Sequence, residues 1–440
     1  MKFRALFFLL IISNIIHAQE QITLEQVIAL ALEKNYDVRI AKQSAESAGL
    51  DNDYAFNAFL PRLNGNGAVL WNNNEQELRL RNSETGGVIE REGPTSSKNI
   101  SGSVQLVWTL FDGMRMFATR ERIELLAEQG ELLVKDQMVN TIASITTNYY
   151  DIVRQKQQLK AILEQMAVSE VRVKLAERKF EVGTGAKPEL LQARVDYNAQ
   201  RAQAIQQETL IAQLKEQLNG LVGMELPTPF DVGDTILINL GLNRDEVITK
   251  AEESNYGLQA ANRSVRMASL MVRERRAEYL PFLDFNGAYN YNQVDNTKLL
   301  NPFSPFYSAT QGFNYGFTVT VPIFNGSNQR RLVQQSRIQA MQQEILFSQQ
   351  RTQINVGLRN AFTNYDNSRK ILLVEEENIS LAKENVSIAL EVFRRGAGTF
   401  LELRTAQQSL AEAYTRLINA RYLAKVAETE LLRLNGSLLK

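Results

Sequence analysis

The chain has no cysteine, and its single histidine, His17, lies in an N-terminal stretch that reads as removable. A mature protein without thiol or imidazole excludes cysteine nucleophiles, Ser–His hydrolysis and the usual zinc sites. Proline is scarce, 9 in 440 residues, and tryptophan scarcer, with only Trp71 and Trp108. Neither charge dominates, with 49 basic and 49 acidic residues, so no basic face for nucleic acid is expected. Beyond the N-terminus no apolar run is long enough for a membrane-spanning helix. Any crossing of a bilayer must therefore be made by strands.

The first residues resemble a secretory signal. Lys2 and Arg4 precede an apolar core over 5–16, and Ala18 offers a cleavage point, so 1–18 is assigned as a signal peptide. Lack of cysteine suits an oxidising envelope compartment and leaves no lipid-attachment site near that point.

What the chain does contain, it contains twice. Leu60-Pro61-Arg62-Leu63-Asn64-Gly65-Asn66-Gly67 returns as Leu280-Pro281-Phe282-Leu283-Asp284-Phe285-Asn286-Gly287, about 220 residues later. Phe180-Glu181-Val182-Gly183-Thr184-Gly185 returns as Phe393-Arg394-Arg395-Gly396-Ala397-Gly398. The expected organisation is a first repeat over 19–225, a linker over 226–242 and a second repeat over 243–440. Strand hairpins are expected at 61–111 and 281–324, and long helical hairpins at 113–222 and 326–436. Short helices lead each half, 24–34 with Thr23 as a candidate N-cap and 243–254 with Asn243. Asn35-Tyr36 and Asn255-Tyr256 mark breaks after them.

Four segments alternate with period two. Leu63, Gly65, Gly67, Val69 and Trp71 share one face, as do Ile100, Gly102, Val104, Leu106, Trp108 and Leu110. So do Leu283, Phe285, Tyr289 and Tyr291, and Phe313, Tyr315, Phe317, Val319 and Val321. The opposite faces carry Asn, Gln, Ser and Thr. Strands of about ten residues, apolar on one side and small-polar on the other, suit a bilayer wall around water. Polar loops are expected over 72–98 and 293–311. Trp71, Trp108, Tyr289, Tyr291 and Tyr315 are candidate membrane-interface aromatics. Four strands cannot close, and an open edge in lipid leaves backbone groups unpaired, so several copies must complete the wall. Two copies would give about eight strands and a barrel filled by its own side chains; three would give about twelve and leave a water-filled bore.

Apolar residues then recur every seventh position: Met138, Ile145, Ile152, Leu159, Met166, Val173 and Phe180 in one half, Leu358, Tyr365, Leu372, Ile379, Val386 and Phe393 in the other. Return helices carry Leu190, Tyr197, Ala204, Ile211 and Leu218, and Leu403, Leu410, Leu417, Ala424 and Leu431. A sustained heptad implies coiled-coil packing. A helix of about 67 residues would be about 100 Å long.

This order, written twice with Leu-Pro strand starts, Phe111-Asp112-Gly113 and Phe324-Asn325-Gly326 strand exits and glycine tips, resembles the TolC-type outer-membrane efflux factors. The resemblance implies an α+β membrane protein: a homotrimeric twelve-stranded β-barrel, four strands per chain, continued by an α-helical coiled-coil barrel in the periplasm. It implies outer-membrane lipid around the barrel, and a periplasmic adaptor and an inner-membrane pump of RND or ABC type at the tips. It implies no catalysis and no cofactor. Val182, Gly183, Thr184, Gly185, Gly396, Ala397 and Gly398 match the adaptor-docking tips. Glu402 matches an acidic gate position, with Thr405 at a second one and Phe393 at the aromatic. Glu402 and Glu189 also suit plain first-turn carboxylates at helix N-termini. A structural, non-conducting envelope coiled coil is the alternative reading.

Overall fold

The computed structural model describes residues 20–81, 86–226, 230–301 and 303–439. The proposed signal peptide lies outside them. In chain order the elements are β1 (Glu20–Gln21), α1 (Leu24–Lys34), α2 (Tyr36–Asp53), a 3₁₀ turn (Ala55–Phe59), β2 (Arg62–Arg81) and β3 (Val88–Phe111). There follow α3 (Arg115–Glu181), α4 (Lys187–Val222), β4 (Phe230–Asp231), α5 (Arg244–Ser254) and α6 (Tyr256–Ala277). The last are β5 (Phe282–Lys298), β6 (Tyr307–Thr320), α7 (Asn328–Arg394) and α8 (Phe400–Leu434). Two compact units result, each drawing segments from both halves: 1–45, 130–260 and 348–440 in one, 46–129 and 261–347 in the other.

The second unit holds an antiparallel sheet in the order β2-β3-β5-β6. Its register aligns the four alternations. Gly65 lies opposite Val104, Val104 opposite Tyr289, and Tyr289 opposite Phe313. One residue along, Asn66, Ser103, Asn290 and Gly312 form the matching row on the other face. Because side chains alternate, a slip of one residue in any strand would mix the faces. The polar face is tied by side-chain bonds, Thr109 to Asp284 at 2.8 Å, Asn286 to Thr318 at 3.0 Å and Asn290 to Asn314 at 2.9 Å.

The strands are longer than expected. β2 has 20 residues and β3 has 24, so most of the segment expected as a polar loop over 72–98 is sheet. Its polarity had suggested a loop. Cross-strand polar pairs instead carry the ladder outward: Asn72 donates to Ser97, Ser96 donates to Asn73, and Arg79 meets Glu90 at 3.1 Å. β5 likewise continues to Lys298. At the other end β6 stops at Thr320, short of the expected 324, because Pro322 has no N–H to continue the ladder.

Both strand exits use one device. Gly113 and Met114 have positive φ, 72° and 70°, and so do Gly326 and Ser327, 68° and 63°. Asp112 Oδ1 then accepts from the Met116 N–H and Asn325 Oδ1 from the Gln329 N–H, capping α3 and α7. The Phe-Asp/Asn-Gly motif is thus a strand-to-helix turn.

In the first unit α3 and α7 each belong to 67-residue helices that return as α4 and α8. The α7 seam is buried throughout, from Leu358 to Phe393. The α3 seam changes partway down. Ile145 and Ile152 are fully buried, but toward the tip Ile162, Ser169, Arg172 and Ala176 take the inner positions and Phe180 is 42 % exposed. Small Ser169 and Ala176 allow close approach there.

Each half is fastened at its middle by a buried asparagine. Asn35 accepts from the Val38 N–H and donates to the Leu221 carbonyl at 2.7 Å; Asn255 accepts from the Leu258 N–H and donates to the Leu434 carbonyl at 2.9 Å. Left-handed Gly223 and Gly436 end the return helices beside these asparagines, where an added Cβ would meet the carbonyl oxygens of Lys34 and Ser254. The segment after α4 lays Leu226, Phe230, Val232 and Ile236 into the core around Val27, Ile145, Ile152 and Leu218. β4 pairs in parallel with β1. Lys156 holds this strap through Asp231 and Asp234, each at 2.8 Å.

Asn255→Ala leaves the Leu434 carbonyl and Leu258 N–H unpaired and should cost about 1–3 kcal/mol. A lowered thermal midpoint of the detergent-purified protein, with an unchanged circular dichroism spectrum, is the expected reading; an unchanged midpoint would remove the fastening role.

Candidate functional site

The two helical tips are built alike. At the first, the N–H groups of Thr184 and Gly185 both donate to the Lys179 carbonyl, and Gly183 turns the chain at φ 76°. A Cβ at Gly185 would press on Lys179 at 2.8 Å. At the second, Ala397 N–H donates to the Val392 carbonyl and Gly396 turns at φ 73°. Val182 stands 72 % exposed at the first apex.

The tips differ in how the return helix starts. Before α4, Ala186 offers no side-chain cap and Pro188 occupies the first turn. Before α8, Thr399 and Glu402 form a reciprocal capping box: Glu402 N–H donates to Thr399 Oγ1 at 3.2 Å and Thr399 N–H to Glu402 Oε2 at 2.9 Å. The exposed Glu402 carboxylate therefore has a structural task beside any other. Thr405 donates to the Leu401 carbonyl. Phe393 is only 3 % exposed and lies beneath Lys179 Nζ, 4.2 Å from its ring, so it packs between the two hairpins.

A buried charge cluster ties the hairpins together just behind the tips. Arg172, 4 % exposed, contacts Asp196 at 2.8 Å, donates to Gln407 at 3.0 Å and lies over the Phe400 ring. Arg404 reaches the same Asp196 oxygen at 3.2 Å. Burial pushes the Arg172 guanidinium below its ordinary value, against the pull of Asp196. Further along, the Tyr414 hydroxyl donates to Glu164 at 3.0 Å. Burial and this bond raise its pKa to about 12. A cavity of about 140 Å³ lies here, lined by Gln165, Gln200 and Gln407 among others. Heptad reading passed over Arg172 and Asp196 because a buried arginine at a seam position breaks the apolar pattern; their spacing alone gave no signal.

On the sheet, Trp71 is opposite Lys98 and 69 % exposed, and Trp108 is opposite Phe285 and 39 % exposed. Tyr315, Tyr289 and Tyr291 lie in the rows of Leu63, Gly65 and Gly67, between the two tryptophans. Phe313, Tyr315, Phe317 and Val319 of β6 are all more than 60 % exposed. A contiguous apolar face of this size marks contact with lipid or another chain.

Such a sheet joined to paired coiled-coil hairpins defines the class of outer-membrane channel subunits that build one barrel from several chains. The sequence profile of the outer membrane efflux protein family matches residues 27–224 and 247–437. The chain belongs to that family, whose members are proteins of the outer membrane. It is 22 % identical to the outer membrane protein TolC of Vibrio cholerae over 335 residues, 75 % of each chain. It is 22 % identical to the cation efflux system protein CusC of Escherichia coli K12 over 421 residues, 92 % of this chain and 84 % of that one. Among solved structures, the outer-membrane channel OprN superposes with a TM-score of 0.77 at 18 % identity, covering 94 % of this chain and 90 % of that one. CusC superposes at 0.75 with 17 % identity, covering 94 % and 92 %.

Two outcomes check the inter-hairpin contacts. Asp196→Ala strands a buried guanidinium and should cost about 3–5 kcal/mol, read as faster proteolysis behind the tips; unchanged proteolysis would make the cluster incidental. The fold raises the Tyr414 pKa above its ordinary 10.0. Its contribution is therefore complete below about pH 10 and is lost as pH rises toward 12. Stability of Tyr414→Phe should accordingly fall less than wild type between pH 10 and 12.

Proposed function

We propose that three copies close edge to edge into a twelve-stranded barrel, polar face inward, and serve as a passive exit duct of a tripartite efflux or secretion system. Each half, 19–225 and 243–440, contributes one strand hairpin and one helical hairpin, with 226–242 as a strap. The single observation that carries this reading is the register: all four apolar alternations coincide on one face of a sheet whose outer strands, β2 and β6, each lack a partner on one side among the described residues. Trp108 lies ten residues along β3 from Lys98, the partner of Trp71, roughly 33 Å at ~3.3 Å per residue. Tilted by ~35–45°, that length gives an apolar band of about 23–27 Å, close to the ~25 Å of outer-membrane barrels.

In this reading the tips, Val182 to Gly185 and Gly396 to Gly398, dock a periplasmic adaptor, and through it an inner-membrane pump of RND or ABC type loads the duct. Cargo then moves by diffusion, and the chain performs no chemistry of its own. Glu402 and Thr405, with Phe393 packed behind them, stand at the periplasmic gate. The polar contacts between hairpins support a gate that moves. Asp196–Arg404, Arg172–Gln407 and Tyr414–Glu164 are directional bonds from one hairpin to the other, whereas the seam within the second hairpin is apolar from Leu358 to Phe393.

Purified protein in planar bilayers should form cation-preferring channels. Glu402→Gln removes the charge while glutamine still completes the capping box, so it should weaken cation preference without destabilising α8. Unchanged selectivity would make Glu402 a cap alone. Absence of any conductance, including in Asp196→Ala with its clasp loosened, would favour a structural, non-conducting coiled coil.

A further inference from the structure

The apolar face of the sheet does not end where the strands end. Trp108 lies near the helix-side end of β3, on that face, and its indole N–H donates to the Phe59 carbonyl at 2.8 Å. Phe59 stacks on Phe56 at 5.5 Å and meets Phe117 edge-on at 5.2 Å. Phe56 and Phe117 are 55 % and 54 % exposed, and Leu60 and Met114 beside them in sequence are also exposed. An aromatic ladder thus runs off the strands onto the 3₁₀ turn and the first turn of α3.

Guanidinium groups accompany it. Arg120 is three residues after Phe117 and so shares its helix face. It is exposed and forms no ion pair among the described residues. Arg115 is exposed and reaches only Glu278, at 3.8 Å, a carboxylate already held by Arg275 at 2.9 Å. The matching turn of the second half carries exposed Arg276 and Tyr279, and α7 opens with exposed Arg330.

Exposed rings continuous with a lipid-facing surface, bordered by unpaired guanidiniums, match one chemistry. The rings occupy the boundary of the acyl chains, and the guanidiniums present forked donors to phosphate oxygens. We propose that this collar, centred on Phe56, Phe59, Phe117 and Arg120, seats phospholipid headgroups on the helix side of the membrane. Anionic headgroups are favoured over zwitterionic ones, and the wall is anchored in depth by the helix starts as well as by strand aromatics. The proposal rests on the duct reading, because it needs the apolar face of the sheet to lie in a bilayer.

The two tryptophans make it testable. Trp71→Phe leaves Trp108 as the sole indole, adjacent to the collar. Reconstituted into vesicles with phospholipid brominated near the headgroup end of its chains, Trp108 should be quenched. Brominated phosphatidylglycerol should compete about fivefold better than brominated phosphatidylcholine, the effect of roughly one cationic contact. Arg120→Gln should bring that ratio close to one, while Arg120→Lys keeps most of it. An unchanged ratio in Arg120→Gln would overturn the headgroup seat. So would a Trp108 that bromine cannot reach while Trp71, isolated by Trp108→Phe, is quenched; the collar would then be covered by protein. If neither tryptophan is quenched, the sheet does not face lipid and the duct reading fails with it.

Discussion

A backbone N–H or C=O left without a partner in hydrocarbon costs several kcal/mol, and this sheet has two rows of them. Among the described residues β2 and β6 each pair on one side only, while the face they border is apolar along its membrane-length part. Along that part, 63–71 of β2 and 312–320 of β6, neither strand carries a charge or a proline, the usual defences of a soluble edge. β6 is instead Phe, Tyr and Val alternating with Gly, Asn and Thr. An edge so undefended is stable only if another β2 pairs with it. Under the proposed duct reading oligomerisation is therefore part of folding, and three copies answer the need for a bore as well as a closed edge.

Duplication explains how one chain supplies matching edges. The two halves repeat their joints more faithfully than their surfaces. Asn35 and Asn255, Gly223 and Gly436, Asp112 and Asn325, and Gly183 and Gly396 occupy equivalent places with the same backbone conformations or hydrogen bonds. These are positions where geometry permits few residues. Between them, composition drifts: Phe180 is exposed where Phe393 is buried, and Ala186 stands where Thr399 caps. Each half therefore folds by the same local rules while presenting a different surface to its neighbours.

Much of this was legible in the residues. Period two in the four strands and period seven in the helices survive because each face meets one environment along its length. Paired glycine tips and the Asn-Tyr breaks are legible because they are backbone requirements. Other features were not. The outer halves of β2 and β3 place Glu75, Glu77, Arg79, Glu90 and Glu92 on the face that is apolar farther down, and a strand that leaves the bilayer loses the pattern that reveals it. The roles of Asn35 and Asn255 as fasteners depend on carbonyls about 180 residues away in sequence. The Arg172–Asp196–Arg404 cluster joins three helices, and no single-helix pattern records a three-helix contact.

That cluster also bears on how such a wall opens. Within each hairpin the seam is mostly Leu, Ile, Val, Ala and Phe, interrupted near the first tip by Ser169 and the Arg172–Asp196 pair, and its apolar part is a non-directional contact that slides only with loss of packing. Between hairpins many contacts are directional: Arg404 on the Asp196 carboxylate, Arg172 on Gln407 and over the Phe400 ring, Tyr414 on Glu164, and farther from the tips Gln158 on Thr415, Arg154 over the Tyr422 ring and Arg433 on Asn140. A buried ion pair adds little net stability over an apolar contact, yet losing one partner is costly. Contacts of that kind hold one arrangement sharply and have no gradual intermediate. If the wall opens as proposed, it does so by breaking the directional contacts that couple one hairpin to the other. Asp196 bonds Arg172 of its own hairpin and Arg404 of the other at once, next to the tip rather than at the strap of Lys156, so near the tip a single side chain couples the two hairpins.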